Sequence, residues 1–232
     1  MNETPGCASS GRTRRPPPVV TISASHGAGG GFVGPRVADE LGVRFWDRAI
    51  PAAVAADLAE RPEEVLAVEA DLQRGLGHWI AFFSATGAAW TGIPPLDAGV
   101  CYDEASYKAH IAALFQREAG RGAVFLGRGS AIVLADHPGA LHVRLDGPVE
   151  RRITPVMDLG GLDERSARRA QHHTDVARHR YVRHLHHTDV ADHRHYHLWI
   201  DSTAVPFATC ANMVLDAVRG REELHQLGAP KL

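Results

Sequence analysis

Lysine is almost missing from this chain of 232 residues. Lys108 and Lys231 stand alone among 25 basic residues, so any cation in an active site is an arginine. Cysteine is scarce too. Cys7, Cys101 and Cys210 are far apart, form no CxxC pair and are odd in number. That argues against a disulfide framework and points to a reducing, cytoplasmic setting. No apolar run reaches the length of a bilayer span, because Gly and Pro break the patchy stretch from Leu76 to Val100. Strong charge of either sign is also lacking. A net charge of −2 and a pI of about 6.7 argue against a general nucleic-acid binder. Arg12, Arg14 and Arg15 precede Pro16-Pro17-Pro18, and no apolar block of signal-peptide length follows. Residues 1–17 are therefore expected to be a disordered tail, and 18–226 to be one domain.

Strands alternate with helices along that domain. Val19 to Ser23 is short, β-branched and ended by small residues, as a buried strand is. Val33, Val37 and Leu41 then recur at helical spacing, with Gly42 as C-cap. Pro35 is expected to hold the helix start back to about Gly34. Further strands are read at Val43–Trp46, Ala123–Leu126, Leu141–Leu145 and Tyr196–Ile200, and further helices at 49–75, 105–120, 149–184 and 208–219. The alternation implies an α/β fold with a parallel sheet covered on both faces.

Between the first strand and first helix lies Ser25-His26-Gly27-Ala28-Gly29-Gly30-Gly31-Phe32. Strand, glycine loop and helix in that order are what a phosphate loop needs. Successive backbone N–H groups and the positive end of the helix dipole can hold phosphate oxygens without any side chain. Matched to GxxxxGK[ST], however, the loop has Ala24 for the first glycine, Gly30 for the lysine and Gly31 for the hydroxyl residue. By itself it reads equally well as a plain turn joining strand to helix.

Later motifs extend the pattern. Ile22-Ser23 precedes the loop. Leu41-Gly42 and Phe45-Trp46-Asp47 follow it. Then come Leu126-Gly127-Arg128-Gly129, the strand Leu141–Leu145 with Glu150-Arg151-Arg152, and Thr174-Asp175 with Arg178 and Tyr181. Tyr196 to Ser202 is the last piece. Taken in order over roughly 18–222, these pieces resemble the cytidylate kinase-like family of P-loop nucleoside monophosphate kinases. The resemblance implies a three-layer α/β kinase fold with a central parallel sheet, a helical acceptor-binding insertion at about 50–118 and a helical lid at about 149–190. It implies a cytoplasmic enzyme, monomer or homodimer, that uses ATP and Mg2+ to phosphorylate a nucleotide such as CMP, with no nucleic-acid or membrane partner.

Under that resemblance Gly27, Ala28, Gly29, Gly30, Gly31 and Phe32 hold the donor phosphates through their backbone. Arg128 grips the acceptor phosphate. Arg152 and Arg178 bring charge from the lid, with Arg183 as a further candidate. Asp175 orients a lid arginine, and Asp47 shapes the acceptor side. Each has a plainer alternative: a surface arginine, a solvated helix face, a salt bridge, a helix cap. Trp79, Phe82, Phe83 and Trp90 either stack on a base or pack in the core. Two positions depart from the family pattern, the missing loop lysine and Pro155 where relatives place arginine. An impaired binder of the same fold is thus the alternative to a working kinase.

Nine of the 15 histidines fall between 172 and 197. His193, His195 and His197 would share one face of a strand, and His172 lies two helical turns from His179. Imidazole clusters can bind zinc or nickel, but no HExxH motif and no cysteine partner accompanies these. No metal site is assigned. Protonation below about pH 6.5 would add positive charge here.

Overall fold

The computed structural model describes residues 17–47 and 104–226. The tail, most of the 50–118 insertion, and Trp79, Phe82, Phe83 and Trp90 lie outside those residues. The strands are β1 (Val19–Ala24), β2 (Arg44–Trp46), β3 (Ala123–Leu126), β4 (Ala140–Asp146) and β5 (Leu198–Asp201). The helices are α1 (Gly30–Leu41), α2 (Glu104–Ala119), α3 (Ser130–Val133), α4 (Val149–Gly160), α5 (Glu164–His186) and α6 (Phe207–Gln226). All strands pair in parallel, in the order β2-β3-β1-β4-β5.

β1 is central because nearly all of it can be buried. Val20, Ile22 and Ala24 face one core with Val124, Leu126, Val143 and Leu145, under α1 and α6. Val19 faces the opposite core with Phe125, Ile111, Leu114 and Phe115. Each fully buried valine or isoleucine contributes roughly 1.5–3 kcal/mol. Thr21 is buried among them, and its hydroxyl is satisfied by His142 Nδ1 at 2.8 Å. The result is the three-layer arrangement expected from the alternation of elements. The strand order reverses at β1, between β3 and β4, so the carboxyl ends of these three strands open a crevice.

Two expectations need correction. α1 starts at Gly30, not Gly34, and carries Pro35 within it. The missing Pro35 N–H would have reached the carbonyl of Gly31, in the first turn, where little of the helix depends on it. Gly34 is fixed by packing, since a Cβ there would run into the Phe45 ring. The last strand begins at Leu198, and His193–His195 form a 3-10 turn. Asp192 accepts the Arg194 N–H at 3.0 Å and starts that turn. His193, His195 and His197 therefore do not share a strand face.

Candidate active site

The loop turns on two glycines with positive φ, Gly27 at 83° and Gly29 at 74°. A Cβ on Gly27 would collide with the Arg152 carbonyl, so only glycine fits. Ala28 N–H donates back to Ser25 O at 3.1 Å, and Phe32 and Val33 N–H both donate to Gly29 O at 2.9 Å. Among the described residues, the amides of Gly27, Gly29, Gly30 and Gly31 meet no protein acceptor. Gly30 and Gly31 open α1, where the helix dipole is positive. At Gly30 a Cβ would sit 2.7 Å from Ala24 Cβ and 3.0 Å from Leu126 Cδ1. The space where a lysine stem would start is thus taken by the alanine that replaces the usual first glycine.

Around the start of the loop runs a chain of alternating charges. Arg144, buried in β4, pairs with Asp146 at 2.7 Å and donates to Ser23 Oγ at 2.9 Å and Ser25 Oγ at 2.7 Å. Asp146 lies 3.7 Å from Arg152, which pairs with Asp175 at 2.7 Å. Asp175 lies 3.6 Å from Arg178. Arg152 also donates to Gly147 O at 2.9 Å and to His26 O at 2.7 Å. Arg178 donates to Ala24 O at 2.9 Å, and Asp175 Oδ1 accepts the His26 N–H at 2.7 Å. Three guanidinium groups and two carboxylates therefore clasp residues 23–26. Burial pushes the Asp146 carboxyl up, but the Arg144 charge and the hydrogen bonds to Arg144 and the Gly147 N–H hold it below its ordinary value.

Beside this chain, Ser23, Ser25, Arg128, Arg144, Arg178 and Tyr196 are among the residues lining a cleft of about 40 Å³. That is room for a few waters and not for a nucleotide. α5 covers it, held to α4 through Ala167 against Ile153 and Val156 and by Gln171 Nε2 on Val149 O at 3.2 Å. At its other end, Tyr181, Val182 and Leu185 pack with Val190 and Ile132.

The structure brings Arg152, Asp175 and Arg178 together at the loop, and Arg128 lines the same cleft. Arg152 is 5% exposed and so lies on no solvated helix face. Arg128 takes a left-handed φ of 56° between two glycines and is buried. Phe32 is exposed, its ring 6.0 Å from that of Phe207, which covers Gly29. Asp47 ends β2, two strands from β1, and does not line the cleft. Arg183 lies exposed in the last turn of α5. Sequence reasoning missed Arg144, Asp146 and His26 as site residues. Arg144 and Asp146 alternate with apolar Val143 and Leu145, a period-2 signal of a polar face beside the loop. Among the described residues no cluster of three His, Cys, Asp or Glu is placed to hold a metal, and no helix is long and apolar enough to cross a membrane.

Among solved structures, an uncharacterized protein from Eubacterium ventriosum ATCC 27560 matches with 15% identity, 87% of this chain and 98% of that one covered, at a TM-score of 0.58. That likeness shows the fold. A gluconokinase from Sinorhizobium meliloti 1021 matches with 17% identity, 94% and 100% coverage and a TM-score of 0.48. A shikimate kinase from Acinetobacter baumannii in complex with shikimate matches with 17% identity, 89% and 95% coverage and a TM-score of 0.41. No curated protein matches. The architecture is an α/β fold built on a five-stranded parallel sheet. The pattern of the cytidylate kinase-like family matches residues 19–204, most of the chain, and the chain belongs to that family.

Proposed function

We propose that this protein is an ATP-dependent nucleotide kinase of cytidylate type, transferring the γ-phosphoryl group of ATP to a nucleoside monophosphate such as CMP. The observation that carries the reading is the loop itself: four glycine amides without protein acceptors, at the positive end of α1, beside Arg152 and Arg178. Those amides suit the phosphates of a nucleotide. They do not by themselves suit a resident Mg2+. Gly31 has no hydroxyl, and Asp146 and Asp175 are both engaged by arginine. Mg2+ therefore belongs to this proposal as part of the Mg·ATP substrate.

Phosphoryl transfer asks the protein for position and charge rather than covalent chemistry. The acceptor phosphate is already an anion and needs no base. In this reading the loop amides hold the donor phosphates, and Arg152 and Arg178 neutralise charge that develops on the transferred group. Arg128, at the end of β3, holds the acceptor phosphate. Asp47 stays on the acceptor side as a shaping group. α5 acts as the lid that excludes water, lying over the cleft lined by Arg128 and Arg178.

A second reading has its own observation. Ala24 fills the path of the missing lysine, so the loop is built without that cation. The protein would then bind nucleotides and turn them over poorly, as a sensor or scaffold. A coupled ADP-release assay with Mg2+ and a panel of nucleoside monophosphates, run beside ATP calorimetry, divides the two. Turnover with CMP supports the kinase. ATP binding without turnover on any acceptor supports the sensor. Absence of ATP binding removes both.

A further inference from the structure

We infer that Asp175 is an internal ligand of the glycine loop: its carboxylate fills a position that a phosphoryl oxygen of the substrate takes, and the two compete for the same donors. The inference rests on the nucleotide reading above. Asp175 comes from α5, far along the chain, yet its Oδ1 accepts the backbone N–H of His26 at 2.7 Å. Its Oδ2 accepts Arg152 Nη1 at 2.7 Å, and Arg178 stands 3.6 Å away. The two 2.7 Å contacts have the length of charge-assisted bonds between an anion and its receptor, and Arg178 adds charge without a direct bond. A backbone amide of a phosphate loop and two guanidinium groups are the donor set that phosphate uses. Here a carboxylate already has them.

The second half of the contact makes the arrangement a clasp. Arg152 is buried and donates to the carbonyl of the same His26 whose N–H goes to Asp175. Arg178 donates to Ala24 O, just before the loop. An entering phosphoryl oxygen that takes the His26 N–H must displace Oδ1. Once Asp175 lets go, its hold on Arg152 and Arg178 weakens, and both are freed to turn towards the phosphate. Nucleotide entry and release of α5 are then one event.

The competing account is that Asp175 only orients Arg152 and Arg178 for the substrate. The two accounts differ in sign. Competition predicts that Asp175→Asn and Asp175→Ala bind magnesium-free pyrophosphate and Mg·ATP more tightly than wild type, by about tenfold or more for the loss of one charge-assisted contact. Orientation predicts weaker binding. Titration calorimetry on the full chain reads the difference, and unchanged or weakened binding overturns the inference. If wild type binds ATP while the variants show no gain, only the inference falls. If neither wild type nor variants bind ATP or pyrophosphate, the nucleotide reading falls and this inference with it. Should the variants not fold, wild-type protein still decides. Competition requires the Asp175 carboxyl-carbon resonance and the His26 amide resonance to shift together, at one half-saturation point, as pyrophosphate is added. An unmoved Asp175 resonance refutes it.

Discussion

Replacing Gly30 by alanine tests whether the loop has exchanged its cation for packing. Gly30 is helical, so an alanine there should gain up to about 1 kcal/mol from helix propensity. Packing opposes this gain. The new Cβ would lie 2.7 Å from Ala24 Cβ and 3.0 Å from Leu126 Cδ1. The leucine end can rotate aside. The alanine Cβ is fixed to the backbone of the central strand and cannot. Overpacking of this kind costs typically 1–3 kcal/mol, so Gly30→Ala should lose about 1–2 kcal/mol overall. That corresponds to roughly 2–8 °C in Tm for a domain of this size. Ala24→Gly removes the obstructing atom. The double variant should then recover most of the loss, with a coupling of about 1–2 kcal/mol in a double-mutant cycle.

The same geometry governs the gain-of-function experiment. Gly30→Lys alone should not raise ADP release, because the stem has no room. Ala24→Gly with Gly30→Lys should raise it. Urea melts of wild type and the three stability variants, and the coupled assay on the two lysine variants, read these outcomes. A Gly30→Ala protein as stable as wild type, or an Ala24→Gly change that relieves nothing, would refute the packing argument.

Arg152→Met should lower stability by about 3 kcal/mol in urea melts, because it takes the nearest cation from Asp175 and strips a donor from the His26 and Gly147 carbonyls; a loss under about 1 kcal/mol would show that the clasp contributes little. His142 has its pKa lowered to about 4 by burial, then by His197 and Arg221. The unfolded chain takes up that proton near the ordinary value of 6.5 while the folded chain resists it. Stability should therefore be full above pH 6.5 and fall by up to about 3 kcal/mol towards pH 4, and His142→Asn should flatten that part of the profile. Gly27→Ala should damage both the fold and ATP binding, since it forces a Cβ into the Arg152 carbonyl at a φ of 83°; calorimetry with intact affinity would count against the loop as the nucleotide site.

Most of the fold was legible because its signals are local. The apolar alternation of β1, the glycine after α1 and the Gly127-Arg128-Gly129 turn each report on their own neighbourhood. Errors fell where a tertiary contact overrides a local preference. Pro35 marks a helix start by rule, yet Gly34 against Phe45 and the cap at Gly29 carry α1 four residues further back. On a strand the alternating histidines at 193–197 would share one face, but the Asp192 cap turns His193–His195 into a 3-10 turn. The site was legible as a list of arginines and not as a circuit. Nothing in Thr174-Asp175 says that its carboxylate reaches the amide of His26, because that contact depends on how α5 lies across the sheet.

The two departures in the loop become one feature once the geometry is known. In sequence, Ala24 and Gly30 are two separate failures of a phosphate-loop pattern. In space they touch: one residue has gained a methyl group where the other has lost a side chain. Such a compensated pair keeps the β1–α1 junction close-packed, and the amides of Gly29, Gly30 and Gly31 meet no acceptor among the described residues. The first amides of any α-helix lack intrahelical acceptors, so open amides alone do not separate a ligand site from a simple turn. Their place beside Arg152 and Arg178 is what favours an anionic ligand over a simple turn, and under the proposed function the cations for that ligand are Arg128 after β3, Arg152 on α4 and Arg178 on α5 rather than a loop lysine.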